Sequence, residues 1–172
     1  MRKERECGCV KKIGILTFHK SVNYGSVLQA FALSDLLSKR GYDVEIIDYE
    51  PASYSTQYRI FEENTTIHNI AANIRRLSVF DILWKQKKGF EQFREKYLPM
   101  SSYKFTKSSS AQEFSKYYDV VICGSDQIWN VTAKDCDPIF FLPGKQSYKK
   151  IAYAASVNTA TVSYTHLTLP TN

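Results

Sequence analysis

Four short apolar runs stand out along this chain, each closed by polar or turn-forming residues. They are residues 11–18 (KKIGILTF), 44–49 (VEIIDY), 119–125 (DVVICGS) and 149–156 (KKIAYAAS). Their length and closure predict strands of one sheet, the first three of them buried. Between the first two, from Val27 to Arg40, Ala30, Leu33 and Leu37 recur at helical spacing, and Gly41 follows Lys39 and Arg40 as a stop signal. A strand, a helix and a second strand in succession form a βαβ unit, and the crossover it needs makes the two strands parallel.

The middle of the chain follows another rhythm. Residues 50–64 are polar and aromatic with no clear period, which predicts a surface loop. Ile67, Ile70, Ala71, Ile74 and Leu77 mark an amphipathic helix. A further helical stretch, carrying Phe80, Leu83, Trp84, Phe90, Phe93 and Tyr97, runs to Pro99 with lysines and glutamates on a solvated face. Residues 106–118 predict a short helix capped by serine. The last eleven residues, VSYTHLTLPTN, continue none of these patterns and follow a strand with no returning helix. Four parallel strands with open edges make a poor finished domain. The expected division is therefore a basic leader at 1–11, a partial Rossmann-like α/β domain with an open parallel sheet at 12–160, and a foreign tail at 161–172.

Composition narrows the class. With 172 residues, 44% of them hydrophobic, the chain can bury one real core but not two. Basic residues exceed acidic ones by 23 to 17, and five basic and two acidic residues fall within the first twelve positions. The remainder suits an anionic substrate and carries no nucleic-acid stripe. No apolar stretch is long enough to span a bilayer or serve as a secretory signal, so a cytoplasmic protein with reduced thiols is expected. Cys7 and Cys9 form a CxC pair with no second ligand pair, and neither a metal nor another cofactor is expected.

Two loops carry the candidate chemistry. In an open parallel sheet, ligands bind beyond the carboxyl ends of the strands, and both loops leave such ends. The first, His19–Ser26, leads into a helix whose free N–H groups attract anions, but one glycine makes neither a dinucleotide fingerprint nor a P-loop. Asn23 and Gly25 fit a turn as well as a site. His19 offers an acid or base, although a lone loop histidine is more often a surface residue. The second loop is GSDQIWN, residues 124–130. Gly124 permits a tight turn, and the side-chain oxygen of Ser125 or Asp126 can cap the next one. Capping explains one polar residue and leaves the others. Asp126 and Gln127 are candidates to hold hydroxyls or take a proton. Trp129 suits a core or cleft wall whose indole N–H needs an acceptor.

The stretches NYGSVLQAFAL (23–33), GYDVEIIDY (41–49), GSDQIWN (124–130) and KIAYAAS (150–156) resemble, in order and spacing, the polysaccharide pyruvyl transferase family. The resemblance covers about residues 12–158. It implies one Rossmann-like half of a two-domain, GT-B-like enzyme that moves a pyruvyl group from phosphoenolpyruvate to sugar hydroxyls of a cell-surface polysaccharide or glycolipid. It further implies Asp126 as a base and Asn23, Gln127 and Asn130 as amides for sugar hydroxyls. Tyr24 and Trp129 would form an aromatic wall, with Gly25, Ser26, Gly124 and Ser125 completing the substrate-binding loops. The second half of the enzyme, with its basic residues for the donor, is absent from this sequence, so the chain is expected to be inactive alone. A sugar-nucleotide glycosyltransferase of the same fold and a non-catalytic module for a small anion or sugar are the rival readings.

Overall fold

The computed structural model describes residues 11–51, 76–106, 110–132 and 136–157. Their elements are β1 (Lys12–Leu16), α1 (Tyr24–Lys39), β2 (Asp43–Glu50), α2 (Phe80–Tyr97), β3 (Met100–Thr106), β4 (Val120–Gly124) and β5 (Lys149–Tyr153). Two 3₁₀ turns, Ala111–Lys116 and Pro138–Phe141, stand before and after β4. The expected leader, the helix through Ile67–Ile74 and the terminal tail lie outside the described residues.

All five strands are parallel, in the order β3-β2-β1-β4-β5. The chain winds outward from β1 through β2 to β3, then returns to the far side of β1 with β4. The reversal falls between β1 and β4, where Leu16 pairs with Cys123 at the carboxyl ends. The α/β, Rossmann-like arrangement expected from the sequence is therefore the fold.

Strand alternation places the core on both faces of the sheet. Ile13, Ile15, Val44, Ile46, Val120 and Ile122 meet Ala30 and Leu33 of α1 on one face. On the other, Leu16, Ile47, Val121 and Cys123 pack with Phe114 and Phe140 from the two 3₁₀ turns. Aromatic contacts from Tyr24 to Phe90 and from Phe31 to Phe93 join α1 to α2.

Local chemistry explains the helix ends. α1 begins at Tyr24 rather than Val27, because the Asn23 side chain accepts the N–H groups of Gly25 and Ser26. It ends at the predicted stop. Gly41 takes a positive φ of 85°, and its N–H and that of Tyr42 bond to the Ser38 and Leu37 carbonyls.

Among the described residues the sheet holds five strands, not four. β3, MSSYKFT, lacks an apolar run and buries only Ser101 and Phe105. It is an edge strand, joined to β2 across an irregular register between Ile46 and Asp48. Edge strands need little apolar alternation, so periodicity gave no sign of it.

Candidate functional site

The loops after β1 and β4 leave neighbouring parallel strands and open on the same edge, at the reversal of strand order. The connections of the two strands depart to opposite faces of the sheet, the arrangement at which open α/β sheets bind ligands. Phe140, in the second 3₁₀ turn, ties the loops together. The Phe18 ring packs edge-on against it at 5.0 Å. Its carbonyl accepts both the Trp129 indole N–H at 3.0 Å and the Cys123 thiol at 2.6 Å.

In the first loop, His19 is fully buried, not the surface residue that a lone loop histidine suggested. Its Nδ1 faces the Thr17 carbonyl at 3.2 Å and its Nε2 the Asp48 carboxylate at 3.3 Å. Both partners are acceptors, and the ring lies between them. With each nitrogen engaged inside the protein, His19 holds the loop in place. Lys20 Nζ reaches Asp48 at 2.6 Å and Glu50 at 3.0 Å. Burial pushes the Asp48 carboxyl upward, but hydrogen bonds and charge from His19 and Lys20 outweigh it and bring the pKa to about 2. In dinucleotide-binding α/β domains an acidic side chain downstream of the first strand receives a ribose hydroxyl. Here Asp48 Oδ1 already faces His19 Nε2 and Lys20 Nζ. From α2, Arg94 donates to the Lys20 carbonyl at 3.3 Å.

Asn23 is exposed and its carboxamide oxygen caps α1, 2.8 Å from Gly25 N. Gly25 is exposed, Ser26 is buried in the first helical turn, and Tyr24 is 68% exposed with its ring 4.8 Å from Phe90. These four residues sit together at the amino end of α1.

The second loop is built on Gly124. Its φ is +119°, and a Cβ there would collide with the Tyr153 carbonyl oxygen of β5. A side chain is thus excluded twice, by backbone conformation and by close approach. Ser125 and Asn130 are buried, and Gln127 is exposed. The Asn130 carboxamide oxygen accepts Thr132 N–H at 3.1 Å and Oγ1 at 2.7 Å, closing a local turn. Trp129 finds its expected acceptor in Phe140 and stacks on Phe141 at 5.9 Å.

Asp126 differs from its neighbours. Its Oδ1 accepts Gln127 N–H at 2.7 Å, and its carbonyl accepts Ser156 N–H at 2.9 Å. Its Oδ2 is buried with no hydrogen-bond partner among the described residues. Leaving a buried carboxylate oxygen without a donor costs on the order of 1–3 kcal/mol. The hydroxyls of Thr17 and Ser21, buried in the first loop, are also without partners among the described residues. Sequence reasoning passed over both, since an isolated hydroxyl residue in a loop carries no pattern. Asp48 and Arg94 escaped it as well, although a carboxylate near the end of an apolar strand is a legible signal of burial with a partner.

Residues 23–170 match the family model for polysaccharide pyruvyl transferase. The chain belongs to this family. The match starts at the cap of α1 and takes in the whole Gly124–Asn130 loop. No curated protein and no solved structure matches the chain.

For a member of the polysaccharide pyruvyl transferase family, the useful property of this edge is its division of labour. Trp129, Asn130, Asn23 and His19 hold the two loops in shape through bonds within the protein. Asp126 Oδ2 and the side chains of Gln127 and Tyr24 are not held in that way by any hydrogen bond among the described residues. A carboxylate oxygen there accepts a hydroxyl proton or orients a hydroxyl; it does not attract an anion.

Proposed function

We propose that the chain forms the acceptor-side half of an enzyme that transfers the pyruvyl group of phosphoenolpyruvate to two hydroxyls of a sugar, building a cyclic ketal on a cell-surface polysaccharide or its glycolipid precursor in the cytoplasm. The observation that carries this reading is the pairing of β1 with β4. It sets the Asp126 loop beside the amino end of α1, both within the matched region.

The chemistry assigns the roles. Protonation of the donor's terminal CH₂ makes the neighbouring carbon electrophilic. A sugar hydroxyl attacks that carbon while Asp126 accepts its proton, and the C–O bond to phosphate breaks with the electron pair leaving on phosphate. A second hydroxyl loses its proton as it closes the ketal. Gln127 and Asn23 orient the sugar, Tyr24 and Trp129 flank its ring, and Gly25, Ser26, Ser125 and Asn130 shape the floor. The donor's phosphate and carboxylate are met by a second half of the enzyme.

The test is phosphate release from phosphoenolpyruvate with a glycolipid acceptor. The enzyme including its second half turns over. Its Asp126→Asn variant keeps its melting temperature and loses ~10²-fold or more of the rate, the scale of general-base catalysis. The 172-residue chain alone releases nothing, because fixing two substrates in one geometry supplies roughly 7–11 kcal/mol in favourable cases and needs both walls. Normal turnover by Asp126→Asn removes that residue from the mechanism. Transfer from a sugar nucleotide in place of phosphoenolpyruvate overturns the donor assignment, and turnover by the chain alone overturns the half-site.

A further inference from the structure

β4 and β5 part at their carboxyl ends and then meet again. Gly124 turns out of β4 at φ +119°, and Ala154 turns out of β5 at φ 48°, a left-handed conformation that residues other than glycine rarely adopt. Beyond both turns, Ser156 N–H donates to the Asp126 carbonyl at 2.9 Å. This bond has the same sequence offset as the one from Lys149 N–H to the Asp119 carbonyl, where the two strands begin to pair. The ladder therefore resumes in register, and it does so at the candidate base. Ala155, between the two, is partly buried against the core and keeps the exit of β5 close to Gly124. A strained residue such as Ala154 persists only where its surroundings fix it, and such residues gather at functional sites.

The peptide group between Asp126 and Gln127 carries the effect to the side chain. It is planar, so its C=O and N–H turn together. Ser156 holds the C=O, and the N–H donates to Asp126 Oδ1 at 2.7 Å. Fixing the plane fixes the carboxylate through that bond: Oδ1 is engaged, and Oδ2 is left with no partner among the described residues. Without the Ser156 bond the peptide can rotate about its flanking single bonds and take the carboxylate with it.

We propose that Ser156 is a positioning residue for pyruvyl transfer, its backbone N–H setting the direction in which Asp126 Oδ2 meets the acceptor hydroxyl. The exit of β5 thereby joins the loops after β1 and β4 as a third part of the site. The Ser156 side chain, which is exposed, takes no part. This role rests on Asp126 as the base.

The experiment replaces Ser156 in two ways, in the enzyme including its second half. Ser156→Ala keeps the N–H. Lactate, the hydroxy-acid counterpart of alanine introduced at the same position by nonsense suppression, forms an ester there and removes the N–H. Phosphate release from phosphoenolpyruvate with the glycolipid acceptor keeps its parent kcat in Ser156→Ala. The ester lowers kcat ~10- to 100-fold while KM for either substrate stays within ~2-fold, since a displaced catalytic group costs rate more than binding. In the Asp126→Asn background the ester costs less than ~2-fold, because the group it orients is already gone. In the 172-residue chain the Ser156 amide exchanges its hydrogen ~10-fold or more slowly than in the unfolded chain. A parent-like ester, an equal loss in both Asp126 backgrounds or an unprotected Ser156 amide overturns the positioning role while leaving Asp126 as the base. Normal turnover by Asp126→Asn removes the base assignment, and the positioning role with it.

Discussion

Gly124 is where the sheet and the candidate site share one atom's worth of space, and Gly124→Ala measures how much depends on it. The residue sits at φ +119°, and an added Cβ would overlap the Tyr153 carbonyl oxygen. A residue other than glycine at such a φ costs about 1–3 kcal/mol. Clearing the overlap requires the end of β4 to separate from β5, losing the Gly124–Tyr153 pairing and about 0.5–1.5 kcal/mol per hydrogen bond. The total is about 3 kcal/mol, and a melting temperature lower by roughly 6–12 °C for a chain of this size. Gly89 supplies the comparison. It lies inside α2, and a Cβ there would meet nothing within 4 Å. Gly89→Ala should therefore stabilise by about 0.5–1 kcal/mol. Thermal unfolding followed by circular dichroism reads both. A Gly124→Ala chain melting within ~2 °C of the parent would show that β4 and β5 are not pressed together at the root of the loop. The same variant displaces residues 125–130, so substrate binding at this edge should weaken more than the loss of folded protein accounts for.

The Asp48 cluster predicts a pH dependence. Its carboxyl is held at about 2 against an ordinary 3.8, a depressed value, so the stabilisation is present above pH 3.8 and disappears as the pH falls through 2. The shift corresponds to about 2 kcal/mol, and Asp48→Asn should remove that part of the slope; parallel acid melting curves for the two chains would rule the linkage out. Burial raises the Cys123 thiol to about 12, against a smaller opposing effect of the neighbouring Trp129 indole N–H. Iodoacetamide at about pH 8 should spare Cys123 in the folded chain and modify it once unfolded, since the thiolate is the reactive form. Peptide mapping reads the difference, and rapid labelling of the native chain would contradict the burial of Cys123.

Much of this protein was legible in the order of its residues. The runs IGIL, EIID and VVIC declare buried strands because a strand covered on both faces must be apolar nearly throughout. Gly41 ended α1 as its position foretold, since few residues other than glycine turn left-handed so cheaply. Those local features, with the rule that a crossover joins parallel strands, were enough for four of the strands and for the edge on which the two loops open. Tertiary structure decided what local pattern cannot carry. β3 has no apolar rhythm, and only pairing with β2 makes it a strand. A lone loop histidine such as His19 is more often exposed, since its neighbours in sequence do not cover it; here Asp48, 29 positions away, does. Asn23, Trp129 and Asn130 carry the same polar atoms whether they hold a ligand or a loop. The fold engages one group in each with Gly25, Phe140 and Thr132 and leaves Asp126 Oδ2 with no partner among the described residues. Sequence names the groups able to form a hydrogen bond, but which of them remain available depends on partners that only the folded chain brings within reach.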